Sequence, residues 1–159
     1  MSHFASMKTQ ITDRPALVTG LQNLLTRHGI SGIVEVHETP MILENIYDRD
    51  AESQYANVIL RRSHLNTDNR EALLDIGFLK SANGTFELIA DDWDLQRNAI
   101  GREIGACQAF LNAVQTQYNI AVVRQTMSAH LWDYSEIQQL EDGSQRLVLT
   151  QRPVEVIVL

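Results

Sequence analysis

Asn83-Gly84 separates two short apolar runs, Ile76–Lys80 and Thr85–Ala90, and this pivot limits the fold more than any other feature of the chain. Asn-Gly between apolar runs predicts a tight hairpin, because both central positions of a type I′ turn need positive φ. Glu141-Asp142-Gly143-Ser144 forms a second pivot of this kind between Asp133–Leu140 and Gln145–Thr150. The stretch Asn83–Ile89 echoes Asp142–Val148. Shared turn chemistry is the preferred account of that echo, with an ancient duplication as the alternative.

Gly32–His37 predicts a strand, since Ile33, Val34 and Val36 are β-branched. Tyr55–Arg62 predicts another, with Ala56, Val58 and Leu60 on one face. Ser2–Ile11 supplies a first strand of poor alternation. Glu38–Ser53 is acidic and predicts an exposed, irregular excursion with a short strand around Met41–Leu43.

Leu17, Leu21, Leu24, Leu25 and His28 recur at helical spacing behind an N-cap at Thr12 or Asp13, with Pro15 in the first turn and Gly29 as the stop. A longer apolar stripe, Ile100, Ile104, Cys107, Leu111, Val114 and Tyr118, predicts the longest helix. Gly101 and Gly105 lie inside it at a cost of ~1 kcal/mol each relative to Ala, which implies a close approach to the sheet or a later helix start. Val122–Leu131 predicts a further helix, although Ile120–Val123 could equally begin a strand. Asp68–Asp75 has room for one or two helical turns. The class is therefore α+β: a mainly antiparallel sheet built from hairpins, with two to three helices packed on one face. Residues 1–152 are expected to form a single domain and 153–159 a C-terminal strand or tail.

The 159 residues carry 13 basic and 20 acidic side chains, a formal charge of −7, with 44% hydrophobic and 21% charged residues. That balance suits one globular domain and is too apolar for a disordered chain. It argues against nucleic-acid binding, which needs clustered Lys and Arg. Cys107 is the only cysteine, so an internal disulfide and a four-cysteine zinc site are excluded and a reducing compartment is expected. No apolar run opens the chain as a secretory signal would. The longest aliphatic stretches, Ile120–Val123 and Val156–Leu159, fall far short of the roughly 18 residues that span a bilayer. The expectation is a soluble, cytoplasmic protein without membrane contact.

Glu87 and the cluster Asp91-Asp92-Trp93-Asp94 hold four carboxylates and no base. Hard oxygen ligands of this kind can hold Mg²⁺ or Ca²⁺, but the spacing is not that of a calcium loop. Capping of the following helix is the preferred account. Trp93 is then either a core anchor or an exposed aromatic at a partner site. Among the histidines, His37 and His64 end neighbouring strands and could join the carboxylates in a site, yet no zinc-type spacing links them. Cys107 lies on the apolar stripe and is expected to be a buried small hydrophobe. Arg61-Arg62 is expected to end an edge strand and discourage aggregation. No phosphate-binding or nucleophile motif is found, and no cofactor is implied.

Met1-Ser2-His3-Phe4, Lys8-Thr9-Gln10-Ile11-Thr12-Asp13, Gly77-Phe78, Asn83–Asp91 and Glu141-Asp142-Gly143-Ser144 together resemble the uncharacterised cyanobacterial and plastid family of hypothetical chloroplast reading frame thirty-five. The resemblance runs from Met1 to about Arg152 and departs at Glu38–Ser53 and Pro153–Leu159. It carries over no activity, cofactor or catalytic residue. It implies a cyanobacterial-type cytoplasm or plastid stroma and work near an AAA+-type ATPase. Two functions follow from these features. The first is a non-enzymatic accessory module that binds a protein partner or its own copy, with Val154–Leu159 as a strand that could pair across the contact. The second is a small metal- or ligand-binding enzyme using Asp91, Asp92 and Asp94 with His37 or His64.

Overall fold

A computed structural model describes residues 3–46, 53–127 and 132–151. Five strands form one antiparallel sheet: β1 (Ala5–Lys8), β2 (Glu35–Ile42), β3 (Tyr55–Leu60), β4 (Ile76–Lys80) and β5 (Phe86–Ala90), in the spatial order β1-β5-β4-β3-β2. Helix α1 (Arg14–Arg27), two single turns α2 (Asp92–Leu95) and α3 (Gly101–Ile104), and the long α4 (Cys107–Thr126) complete this body. Strands β6 (Trp132–Gln139) and β7 (Gln145–Gln151) pair with each other as a separate two-stranded ribbon. The α+β class and its antiparallel sheet are as the hairpin signals predict.

Both helices bury their stripes on one sheet face. Leu17, Leu21, Leu24 and Leu25 of α1 and Phe110, Leu111, Val114 and Tyr118 of α4 share a core with Val58, Leu60, Phe78, Phe86 and Leu88. On the opposite face a smaller cluster of Leu43, Ala56, Ile59 and Ile89 contains no helical residue. The N-cap of α1 is Asp13, whose carboxylate accepts from Ala16 N at 3.0 Å. Its C-terminus closes as a Schellman motif, with Ile30 N donating to Leu25 O and Gly29 N to Thr26 O. The Tyr118 hydroxyl accepts from Thr12 N and Asp13 N at 3.3 and 3.2 Å, so α4 fixes the entry of α1.

Several elements differ from the sequence expectation for identifiable reasons. No residue other than glycine has positive φ among those described, so the turn at Asn83-Gly84 is not type I′. It is a three-residue loop: Gly84 N donates to Ser81 O, Ser81 N donates to Thr85 O, and only Gly84 is left-handed, at φ 87°. The second hairpin repeats this pattern with Leu140, Gly143 at φ 86° and Ser144. Asn83 and Asp142 each accept from the backbone N–H two residues on. The two echoing segments thus share one turn geometry.

The stripe from Ile100 to Tyr118 is not one helix. Gly105, at φ 120°, ends α3 and α4 begins at Cys107. Ile120–Val123 is helical, as the continuation of α4 to Thr126 and not the start of a separate helix. Asp68–Asp75 forms no helix, because its N–H groups at 73 and 74 donate to Asp94. The strand expected at Gly32–His37 starts at Glu35 and runs to Ile42, so the first part of the acidic excursion is ordered sheet. The first strand shortens to Ala5–Lys8. Arg61-Arg62 follows β3, an inner strand, and cannot blunt an edge. Residues 47–52 of the excursion, 128–131 at the end of the expected helix and the C-terminal Val154–Leu159 lie outside the described residues.

The contact between α1 and α4 depends on Gly20. A Cβ there would sit 2.9 Å from Tyr118 N and 3.1 Å from the Gln117 carbonyl carbon, both backbone atoms that cannot turn aside. Gly20→Val is therefore expected to lower stability by about 1–3 kcal/mol, the range for overpacking a well-filled core. Urea denaturation followed by circular dichroism measures the loss; a midpoint at or above that of the parent chain would contradict this close approach.

Candidate functional site

The sheet has two edge strands, β1 and β2; β2 pairs only with β3 among the described strands. The ladder is interrupted: Val36 faces Val58 and Met41 faces Ala56, so residues 37–40 stand opposite Asn57 alone. Asn57 is buried and its side-chain amide serves the bulge. Nδ2 donates to His37 O and Glu38 O at 3.2 Å each, while Oδ1 accepts from Lys80 N at 2.9 Å. Pro40, which has no N–H, fits in such a bulge on an edge strand and would disrupt an inner one.

Apolar side chains gather at this edge. Val36, Met41 and Ile42 of β2, Tyr55 opposite Ile42, Ile33 before the strand and Ile46 after it are 43–76% exposed. They are six of the seven large hydrophobic residues exposed among those described; the seventh is Trp93 at 45%. Singly exposed hydrophobes are ordinary, whereas a concentration on one edge is a feature that contact surfaces share.

A polar frame holds the edge from behind. Asp75, with no exposed surface, accepts from Glu44 N, Arg62 N and Arg61 Nη1, each at 2.7 Å. Arg61 also donates to Ile42 O at 3.0 Å and to Glu35 Oε2 at 3.0 Å. Its hydrogen bond holds the Glu35 carboxyl below the usual carboxylate range. His37 Nε2 lies 3.0 Å from the same Glu35 oxygen. Arg62 pairs with Glu44 at 3.0 Å and Arg14 with Glu38 at 2.6 Å. Beyond Ile42 the chain continues as a tie to residues 73–75, with Asp75 N donating to Glu44 O and Ile46 N to Leu73 O.

The structure gives each carboxylate of the acidic turn a backbone partner. Asp91 caps α2 by accepting from Asp94 N at 2.7 Å and also accepts from His3 N. Asp92 accepts from Cys107 N at 2.8 Å and so serves the first orphan N–H of α4. This bond holds the Asp92 carboxyl below its ordinary value. Asp94 is buried and accepts from Leu73 N and Leu74 N, with Arg70 at 3.5 Å. Burial pushes its carboxyl upward despite those donors. Trp93 points away from this work, with the guanidiniums of Arg97 and Arg70 over its ring at 4.2 and 4.5 Å.

His64 is exposed, and a Cβ on Gly32 would meet its ring at 2.9 Å. His37 belongs to the Glu35–Arg61 frame. Among the described residues no group of three His, Cys, Asp or Glu side chains is placed to hold a metal ion. Burial pushes the Cys107 thiol up to about 12, so it is protonated at neutral pH and inert as a nucleophile. Among the described residues no helix is long and apolar enough to cross a membrane. Sequence inspection did not single out Asn57, Asp75, Arg70 or Arg97. Pro40 beside β-branched residues was the available signal for an edge strand.

The model of a family described as "Protein of unknown function (DUF1257)" matches residues 40–148. No curated protein and no solved structure matches the chain.

Two outcomes follow from this geometry. Asp75→Ala leaves Arg61 and two backbone N–H groups without their acceptor, and should cost about 3–5 kcal/mol, as removal of one partner from a buried pair does. Chemical denaturation measures it, and a loss under about 1 kcal/mol would refute the role given to Asp75. Asp92, with its lowered folded value, contributes stability that is present above its ordinary 3.8 and lost as pH falls through the lowered value. Asp92→Asn should therefore flatten the acid limb of the melting-temperature profile, and Asp92→Ala should in addition lose about 1 kcal/mol at neutral pH.

Proposed function

From the premise that the chain belongs to the DUF1257 family of proteins of unknown function, we propose that it acts as a non-enzymatic accessory module that docks a protein partner on the β2 edge. The observation that carries this reading is the concentration of Ile33, Val36, Met41, Ile42, Ile46 and Tyr55 at one edge of the sheet. Their burial is worth roughly 25 cal/mol per Å² of apolar surface removed from water, and a rigid frame lowers the ordering cost of docking. The bulge at 37–40 and Pro40 interrupt the row of backbone donors and acceptors that a long added strand would use. Docking is accordingly by side chains, with at most short backbone pairing at the two ends of β2.

Charge defines the partner further. Exposed Glu38 and Glu44 at the patch are paired with Arg14 and Arg62, so the charge that bears on a partner is the −7 of the whole chain. A complementary surface is apolar at its centre and basic around it, which argues against nucleic acid as the occupant. The module comprises the single domain 1–152, with 153–159 as an added strand or tail. The resemblance to hypothetical chloroplast reading frame thirty-five supports a plastid stroma or cyanobacterial cytoplasm as its setting and an AAA+-type ATPase as the class of partner. A second copy of the chain is the alternative occupant.

Val36→Asp and Ile42→Asp place a charge in the patch without touching the core, so folding should be retained while docking is lost. Cross-linking in the native host, with quantification of stoichiometric partners, should show the loss in both variants; light scattering over a concentration range identifies self-association. A strictly monomeric chain with no stoichiometric partner, or a partner retained equally by both variants, would overturn the reading.

A further inference from the structure

Trp93 lies off the β2 edge and presents a different chemistry. Its ring is 45% exposed, with the Arg97 guanidinium carbon 4.2 Å and that of Arg70 4.5 Å from the ring centroid. Arg97 Nη1 also donates to Trp93 O at 2.9 Å. Stacking uses the flat face of a guanidinium and leaves its in-plane N–H groups available, the geometry that receives carboxylates two bonds at a time.

These cations are only lightly claimed. Among the described residues Arg97 is exposed and has no carboxylate within ion-pair distance. Arg70 reaches only Asp94, at 3.5 Å, and that buried carboxylate already accepts from Leu73 N and Leu74 N. Acids outnumber bases in this chain by 20 to 13, yet the Trp93 ring carries two guanidiniums, of which Arg70 has one long ion pair to a buried carboxylate and Arg97 has none among the described residues. Trp93 is held in place by the α2 turn, which Asp91 caps. Tryptophan and arginine fixed in this way are the residue types that dominate binding energy at protein contacts.

We propose that Trp93, Arg70 and Arg97 form a docking site for an acidic peptide segment of a partner protein, separate from the β2 edge. Two or three carboxylates of such a segment would take the in-plane donors of the arginines, and an apolar neighbour would cover the exposed edge of the indole. A nucleic acid fits less well. The guanidiniums occupy the ring face on which a base would stack. A short segment engages only charges within about one Debye length, ~8 Å at physiological salt. The contact at β2 calls for a basic-rimmed partner surface and this one for an acidic segment, so each can fail without the other.

Isothermal titration calorimetry of the full chain with poly-L-glutamate, poly-uridylate and inorganic phosphate tests the proposal. Saturable binding of poly-L-glutamate is expected, weakened about tenfold by Arg97→Gln and by Trp93→Ala. High salt should weaken it too, and Ile42→Asp should leave it unchanged. Arg97 and Trp93 are exposed, and far-ultraviolet circular dichroism verifies that both variants fold. Absence of saturable poly-L-glutamate binding, or binding undiminished in Arg97→Gln, would overturn the proposal. Tighter binding of poly-uridylate would reassign the surface to nucleic acid, and binding of phosphate alone would reassign it to a small anion; each result also overturns the peptide site.

Discussion

Asp75 has no exposed surface, and its carboxylate gathers donors from two separate parts of the chain: Glu44 N beyond β2, and Arg62 N with Arg61 Nη1 beyond β3. A buried carboxylate is tolerable only when its oxygens are fully engaged, since the desolvation of a charge costs several kcal/mol. The three donors meet that requirement. In doing so they fix the backbone after Ile42, orient Arg61 toward Glu35, and bring the 44–46 segment alongside residues 73–75. The sheet edge, its polar frame and its exposed apolar row all depend on that one anchor.

The same chemistry recurs at the acidic turn. Asp91, Asp92 and Asp94 look like a ligand set in one dimension, yet their oxygens are directed at backbone N–H groups of Asp94, Cys107, Leu73 and Leu74. Each bond answers a donor that the secondary structure leaves orphaned, at a helix start or in an irregular segment. Asp94 connects this turn to residues 73–74, and Leu73 O in turn accepts from Ile46 N. The Trp93 turn and the end of the β2 edge are thus joined through a short run of hydrogen bonds. Local negative charge here acts first as internal scaffolding.

What could be seen in one dimension was local. Hairpin pivots at Gly84 and Gly143, the cap at Asp13 and the stop at Gly29 are chemistry among near neighbours, and they hold in the structure. The turn type at Asn83 did not follow, because the left-handed residue is needed only at the third loop position and Gly84 supplies it. The apolar stripe from Ile100 to Tyr118 gave the right buried face but hid the break at Gly105. A three–four spacing continues across a short interruption, so periodicity alone does not reveal one. Asn57, Asp75 and Arg70 were invisible for another reason: their partners are 13 to 31 positions away in sequence, and no local pattern encodes such contacts. Trp93 was marked as core or contact, and only the positions of Arg70 and Arg97 decide for exposure.

The β2 edge combines two features that ordinarily oppose each other. A bulge fastened by Asn57, with Pro40 inside it, interrupts the backbone ladder and protects against open-ended strand addition. Exposed Val36, Met41 and Ile42 on the same strand would nonetheless favour association. If solubility alone had shaped this edge, polar side chains would be the simpler solution on a strand already blunted. Retaining apolar groups while disabling the ladder discriminates by shape: a partner must match the side chains and cannot rely on generic backbone pairing. Such an edge resists amyloid-like self-templating and, on the proposed reading, still offers its side chains to a specific surface. That combination is a stronger argument for a dedicated protein partner than exposure by itself.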